Sequence, residues 1–330
     1  MTFAIQEQQR EAERLFSVLH KTNWTKDECD MLSPLTLQIQ KLKKEKNAII
    51  LSHSYQTPDI MYGIADVVGD SYGLAKEAQR STADTIVFCS VFFMGETAKL
   101  LNPNKTVLVP SRSGCSLAES ITADDVKNLK KQYPGRPVVC YVNTSAAVKA
   151  ESDISCTSGN ALRVIESFPD DEIIFIPDML MGKNLQKLTT KKLILWRGTC
   201  IVHEQFTKER VDAIRQQYPG VKILAHTECS AGVVDSVDLA GSTNDMLTFV
   251  KQTDATTLML ATECGLTDRV KTEYPEKNIV GVCSLCPYMK SIMLRDVLSA
   301  LKNPSEEQVV SIPEAIFERA RQSLEKMMTL

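Results

Sequence analysis

A chain of 330 residues with 43% hydrophobic and 24% charged residues has the composition of a globular protein of two or three domains. A formal net charge of −3 gives no electrostatic reason to expect nucleic acid as a partner, and no apolar run reaches membrane-spanning length. The N-terminal residues mix acidic and basic side chains without a signal-type apolar stretch. A cytoplasmic location is therefore expected, with most of the ten cysteines kept as thiols.

The chain opens with two amphipathic stretches, EAERLFSVLH and LTLQIQKLKKE, which predict a helical segment over 1–44 with a packing role and an exposed His20. A β-like run, AIILSHSY, follows and ends in His53 and Tyr55. After a helix-like stretch comes ADVVGDSYGLAKE, with Asp66 five residues ahead of Ser71, and then two further apolar runs. These are TIVFCS, continuing as FMG to Gly95, and KTVLVPSRSGC, ending at Cys115.

The same order then recurs twice. YPGRPVVCYVN from Tyr133 matches YPGVKILAHTE from Tyr218 at an offset of 85, with polar pairs Tyr141/Asn143 and His226/Glu228. The acid and hydroxyl return as Asp153/Ser158 and Asp238/Thr243, and the third runs as EIIFIP and TLMLAT. The closing runs, KLILWRGTC and KNIVGVCSLC, end at Cys200 and Cys286, so the three cysteines are spaced 85 and 86 apart. Strands alternating with helices predict an α/β fold of three homologous parallel-sheet αβα domains in pseudo-threefold arrangement around a central active site. The expected boundaries are 45–125, 126–210 and 211–295, with a helical segment over 296–330 packing on the core.

Ligands of such sheets bind beyond the carboxyl ends of the strands, where the polar pairs and cysteines fall. Three convergent thiolates suit zinc with an open position or an iron–sulfur cluster with one iron free of protein. Ser71, Ser158 and Thr243, near helix N-termini, suit carboxylate or phosphate as well as plain capping. His203, three residues after Cys200, faces the same end, and Glu228 is the better acid–base candidate beside His226, ahead of Glu263. Asp66, Asp153 and Asp238 are expected to tie loop N–H groups.

The segments SHSYQTPDI, GDS, FMGETAKLL, YVNTSAAVKA, CTSGNA, GTCIVHE, HTEC, GST, ATECG and CSLCPYM together resemble the quinolinate synthase family of iron–sulfur enzymes over about Ile49 to Met289. The resemblance implies a [4Fe–4S] cluster held by Cys115, Cys200 and Cys286. The implied reaction condenses iminoaspartate with dihydroxyacetone phosphate to quinolinate, phosphate and water in NAD biosynthesis. L-aspartate oxidase is the implied supplier of the unstable imine. Tyr55, Tyr141 and His53 would contact substrate, and Ser71, Asn143, Ser158, His226, Ser242 and Thr243 would bind its anionic groups. His203 would lie near the cluster and Glu228 would transfer protons. Ser52 stands where the family pattern has a small apolar residue, and only C-x-x-C precedes the proline, so no redox disulfide with a third nearby cysteine is expected. Cys283 has no counterpart in the other repeats and is not expected to be a ligand. A cluster-dependent dehydratase of another hydroxy acid, a non-enzymatic iron–sulfur sensor and a zinc protein are the alternatives.

Overall fold

The structure, a computed structural model, describes residues 3–330. The apolar runs form three four-stranded sheets. The first holds β1 (Ala48–His53), β2 (Val67–Gly69), β3 (Thr85–Cys89) and β4 (Thr106–Leu108). The second holds β5 (Val138–Tyr141), β6 (Ile154–Cys156), β7 (Glu172–Ile176) and β8 (Lys192–Leu195). The third holds β9 (Lys222–His226), β10 (Leu239–Gly241), β11 (Thr257–Ala261) and β12 (Asn278–Ile279). Each has the same order, β2-β1-β3-β4, β6-β5-β7-β8 and β10-β9-β11-β12. The pairings are parallel, as between Leu51 and Val67, Val139 and Ile154, and Leu224 and Leu239.

In this order the first strand of each sheet lies between the second and third, so the chain leaves it toward opposite edges. The carboxyl end of β1, β5 and β9 is thus a topological switch point, the place where such sheets leave a crevice. The final residues of these strands are His53, Tyr141 and His226. Their interiors are buried on both faces, as parallel sheets require: Ile50, Leu51, Val138, Val139, Ile223 and Leu224 are all inaccessible to solvent.

The short strands β2, β6 and β10 carry no period long enough to be read from sequence. They are held by the repeated aspartates as expected. Asp66 Oδ2 accepts from Ile50 N at 2.8 Å, Asp153 Oδ2 from Val138 N at 2.7 Å, and Asp238 Oδ2 from Ile223 N at 2.9 Å. Each aspartate's own N–H returns a bond to the same residue's carbonyl, at 2.8, 3.0 and 2.8 Å respectively. The edge strand is thereby stapled to the strand that bears the polar pair.

The chain divides into two compact units. One runs to Ser113 and takes in Cys264–Asn278 and Leu285–Val310. Within it lie the first sheet and two N-terminal helices, α1 (Ile5–Leu19) and α2 (Lys26–Glu45). α2 starts at a Thr25/Glu28 capping box and turns Leu32, Leu35, Ile39 and Leu42 against Ile50, Ile60 and Ile64. Buried Glu11 on α1 accepts from Thr36 Oγ1 at 2.6 Å and from Arg14, which donates in turn to the carbonyls of Tyr62 and Gly63. These helices pack, as their amphipathic pattern predicts, and His20 is exposed. The helix Leu294–Lys302 joins the same core through Leu294, Val297 and Leu301.

The other unit comprises Gly114–Glu263, Ile279–Ser284 and Ser311–Leu330. The C-terminal helix Glu314–Thr329 lies against β6, where Ser323 and Ser155 hydroxyls meet at 2.9 Å and Arg319 pairs with Glu151 at 2.9 Å. No helix among the described residues is long and apolar enough to cross a membrane.

Removing one aspartate staple leaves a buried strand N–H without its partner, a loss of about 1–2 kcal/mol. Asp153→Ala is expected to lower the unfolding free energy by that amount, read as a lower urea midpoint with an unchanged slope, and Asp66→Ala and Asp238→Ala to do the same.

Candidate active site

The alternating spacing of the polar pairs has a local cause. In the second unit, the Glu228 N–H donates to His226 Nδ1 at 3.2 Å. In the first unit, the Tyr55 N–H donates to His53 Nδ1 at 3.1 Å, and the two rings meet edge-on at 4.6 Å. A histidine that ends a strand thus caps the backbone two residues on and keeps its proton on Nε2. Both rings are buried, His53 at 5% and His226 at 3% exposure. Ser52 does not disturb this arrangement, since its hydroxyl points to the His53 carbonyl at 3.3 Å.

Glu228, buried at 3% exposure, is the centre of a polar network in the second unit. Tyr141 Oη donates to its Oε1 at 2.6 Å and His203 Nδ1 to its Oε2 at 2.8 Å. His203 Nε2 meets Thr262 Oγ1 at 2.9 Å, and the His203 ring stacks on His226 with centroids 4.6 Å apart. Cys200 Sγ lies 3.3 Å from His203 Nδ1. Burial alone raises the Glu228 pKa, but the neighbouring imidazoles and the bonds from His203 and Tyr141 outweigh it and hold the carboxyl below its usual range. Burial is also the largest effect on His226, lowering it to about 4 against the pull of Glu228. His226 is therefore neutral near pH 7, in keeping with an Nδ1 that accepts. The donors that keep Glu228 ionised there are Tyr141 and His203.

Two helix starts face each other in this unit. A Cβ on Gly159 would lie 3.5 Å from Ser242 Oγ, so the turn holding Ser158 and Gly159 abuts the N-cap of the helix Thr243–Gln252. Ser242 is engaged in a capping box with Asp245, and Thr243 is the first helical residue, at 4% exposure. Ser158 precedes its helix, Ala161–Glu166, by a turn in which the Thr157 N–H donates to Asn160 Oδ1 at 2.7 Å. In the first unit Asp70 caps the helix Ser71–Arg80, leaving Ser71 as its first residue with its hydroxyl 3.7 Å from Met94 Sδ. Simple capping therefore falls to Asp70 and Ser242 rather than to Ser71 and Thr243.

The cysteine loops are stitched in two places. Ser116 Oγ donates to Thr199 O at 3.1 Å and accepts from Ile201 N at 3.2 Å, bracketing Cys200 from the residue after Cys115. Ser113 Oγ donates to Tyr288 O at 2.6 Å, joining the segment before Cys115 to the helix that follows Cys286. Gly198 in the GTC motif is required by close approach, because a Cβ there would stand 2.5 Å from Pro177 O. Of the eight cysteines outside disulfides among the described residues, Cys29, Cys89, Cys140, Cys156 and Cys229 are buried. The three that are not are Cys115, Cys200 and Cys286.

Cys283, which is not expected to be a ligand, is disulfide-bonded, as is Cys264. Cys264, inside ATECG, carried no signal because the matching residues of the other repeats, Met94 and Met181, are not cysteines.

Sequence reasoning missed several supporting groups. Lys149, inaccessible to solvent, donates to Val142 O at 2.8 Å and to Thr144 O, the carbonyls on either side of Asn143. Asn184 and Asp178 lie buried on or at the start of the helix Met179–Gln186. Their only sequence signal is polarity on an otherwise apolar face.

The lowered His226 pKa makes stability depend on pH. The unfolded chain takes up this proton near pH 6.5 and the folded chain near 4, so stability falls as pH drops through that window and the loss levels off below it. The contribution is at most about 3 kcal/mol. His226→Gln is expected to flatten the unfolding midpoint between those pH values in the apo-protein, while the fall below the usual carboxylate pKa, due to Glu228, remains.

Residues 37–329 match the family model of the quinolinate synthetase A protein. The chain is 46% identical over 319 residues to the quinolinate synthase of Agrobacterium fabrum, covering 96% of this chain and 90% of that one. It is 48% identical over 299 residues to the enzyme of that name from Sinorhizobium fredii, covering 90% and 83% of the two chains. It is 49% identical over 291 residues to quinolinate synthase 1 of Mesorhizobium japonicum, covering 88% and 89%. With a family match and relatives at this level over nearly its whole length, the chain belongs to the quinolinate synthetase A family.

Proposed function

We propose that this protein is a quinolinate synthase that condenses iminoaspartate with dihydroxyacetone phosphate, with loss of phosphate and water and closure of the pyridine ring. The observation that carries this reading is the thiol set. Among the described residues, the three cysteines spaced 85 and 86 apart are those outside disulfides that keep part of their surface exposed. They suit a [4Fe–4S] cluster. Their donor atoms are thiols, their loops are stitched by Ser113 and Ser116, and the Cys200 thiol is pushed up by burial, by Glu228 and by Cys115. A site that gathers this much negative charge is stabilised by a cationic group. When bound, such a cluster leaves one iron open as a Lewis acid.

The protein groups around it divide the remaining work. Glu228, ionised and dry, is a weak base while Tyr141 and His203 both donate to it. Its basicity rises when a substrate oxygen takes over either donor, so proton abstraction is coupled to correct binding. His53 and His226 present Nε2–H donors without adding charge, which suits carboxylate or carbonyl oxygens. Ser71, Ser158 and Thr243 at helix starts, with Ser242 and Asn143, suit the carboxylates and the phosphate. Tyr55 completes the set from the first repeat. The imine is unstable in water, which makes L-aspartate oxidase a fitting supplier.

A second reading rests on one distance. The ligand atoms of Cys200, His203 and Glu228 lie within 4.8 Å of one another, a spacing that suits a single divalent ion. Anaerobic reconstitution separates the two. Cys115→Ala, Cys200→Ala and Cys286→Ala are each expected to lose the iron and sulfide, and Cys283→Ala to keep most of both. Zinc in place of iron, held by the Cys286→Ala variant, would favour the single ion. Absence of quinolinate from fully loaded enzyme supplied with both substrates would overturn the proposed function.

A further inference from the structure

We propose that Asn184 is a positioning residue that aims the Glu228 carboxylate, an inference that rests on the role given to Glu228 above. The geometry is specific. Asn184 Nδ2 donates to Thr227 O at 2.9 Å and to Cys229 O at 2.8 Å, the two carbonyls that flank Glu228. Both protons of one amide are therefore spent on the single turn that carries the acid–base group. The side chain is 6% exposed and its Oδ1 is buried without a partner. A flipped amide would set that oxygen against two carbonyls, so the orientation is fixed.

Asn184 belongs to the helix after β7, whereas Glu228 follows β9, so the clamp runs from the second repeat to the third within one compact unit. The equivalent helices of the other repeats have threonine at this place: Gly95-x-Thr97 and Gly265-x-Thr267 stand against Gly182-x-Asn184. Thr97 spends its hydroxyl on its own helix, at Phe93 O, 2.9 Å away. Asparagine is thus the variant of this position that reaches out, and it reaches the turn of Glu228. The device is used a second time in this unit. Lys149 grips Val142 O and Thr144 O, which flank Asn143, the residue equivalent to Glu228 in the second repeat. The first carbonyl belongs to the peptide that enters the intervening residue and the second to the peptide one step beyond it, so the two ends of the short turn that carries the side chain are held by one group.

The replacement that tests this is Asn184→Thr, because threonine is already accommodated at this position in two helices of the same chain. In anaerobically loaded holoenzyme, quinolinate binding by calorimetry counts competent sites, and turnover is expressed per site. The expected result is an unchanged number of sites, a product Kd within about threefold of the parent, and kcat per site lower by roughly 10- to 100-fold. Asn184→Asp keeps the shape and offers at most one donor. It is expected to fall between the two, and it decides the question if the threonine variant does not fold. Unchanged kcat per site in the folded variant, or activity lost only in proportion to binding sites, would overturn the proposal by making Asn184 a structural residue. Glu228→Gln separates the two levels of inference: if it turns over like the parent, the role of Glu228 fails, whereas its inactivity beside an active Asn184→Thr defeats the clamp alone.

Discussion

Keeping one carboxylate ionised in a dry place organises the second unit. An ionised group out of water is tolerated only when donors replace its solvation, each such bond contributing about 1.5–3 kcal/mol. Glu228 takes its donors from two distant places: Tyr141 at the end of β5 and His203 beyond β8. The turn after β9 must therefore be brought against both. Trp196 Nε1 on Ser120 O, the Ser116 stitch and the tight passage of Gly198 past Pro177 fix the loop from which His203 comes. Much of what looks like loop detail serves to deliver those two donors.

The three repeats share a scaffold and differ in chemistry. An aspartate staples the edge strand in each, and the first strand ends in each at a switch point. What stands at that end differs. Histidine in the first and third repeats folds back on the backbone two residues ahead, giving a neutral ring with an outward N–H. Tyrosine in the second is long enough to pass that turn and reach Glu228. A single geometry thus yields two rings that accept at Nδ1 from the backbone and one hydroxyl that reaches a buried carboxylate. The divergence is cheap in structural terms because it changes side chains at the ends of strands whose interiors stay buried.

Legibility in the sequence followed the same division. The long strands, the repeat and the aspartate staples could be read because each depends on local apolar runs and on spacing along the chain. The pairs His53/Tyr55 and His226/Glu228 were readable for the same reason, since the bond that couples each pair spans two residues. The three-residue strands β2, β6 and β10 were not, because their pairing comes from the staple and not from any period. Asn184, Lys149 and Asp178 were also silent. A polar residue on a buried helix face acquires meaning only through what it touches, and Asn184 touches carbonyls more than forty residues away. The disulfide state of Cys264 and Cys283 escaped for a related reason, as neither has a cysteine at the matching place of another repeat.

The cysteines show how spacing and burial divide the evidence. Spacing selects Cys115, Cys200 and Cys286 without saying what they do. Burial explains why others do nothing of the kind: desolvation is the largest effect on the thiols of Cys89, Cys140, Cys156 and Cys229 and pushes each up, for Cys140 against the pull of Lys149. Cys200 is pushed up as well, first by burial and then by Glu228 and by Cys115, a second member of the spaced set. That crowding disfavours a lone thiolate and favours a bound cation. The neighbours that raise the Cys200 thiol on its own, Glu228 and Cys115, are therefore those whose charge a cation held there would offset.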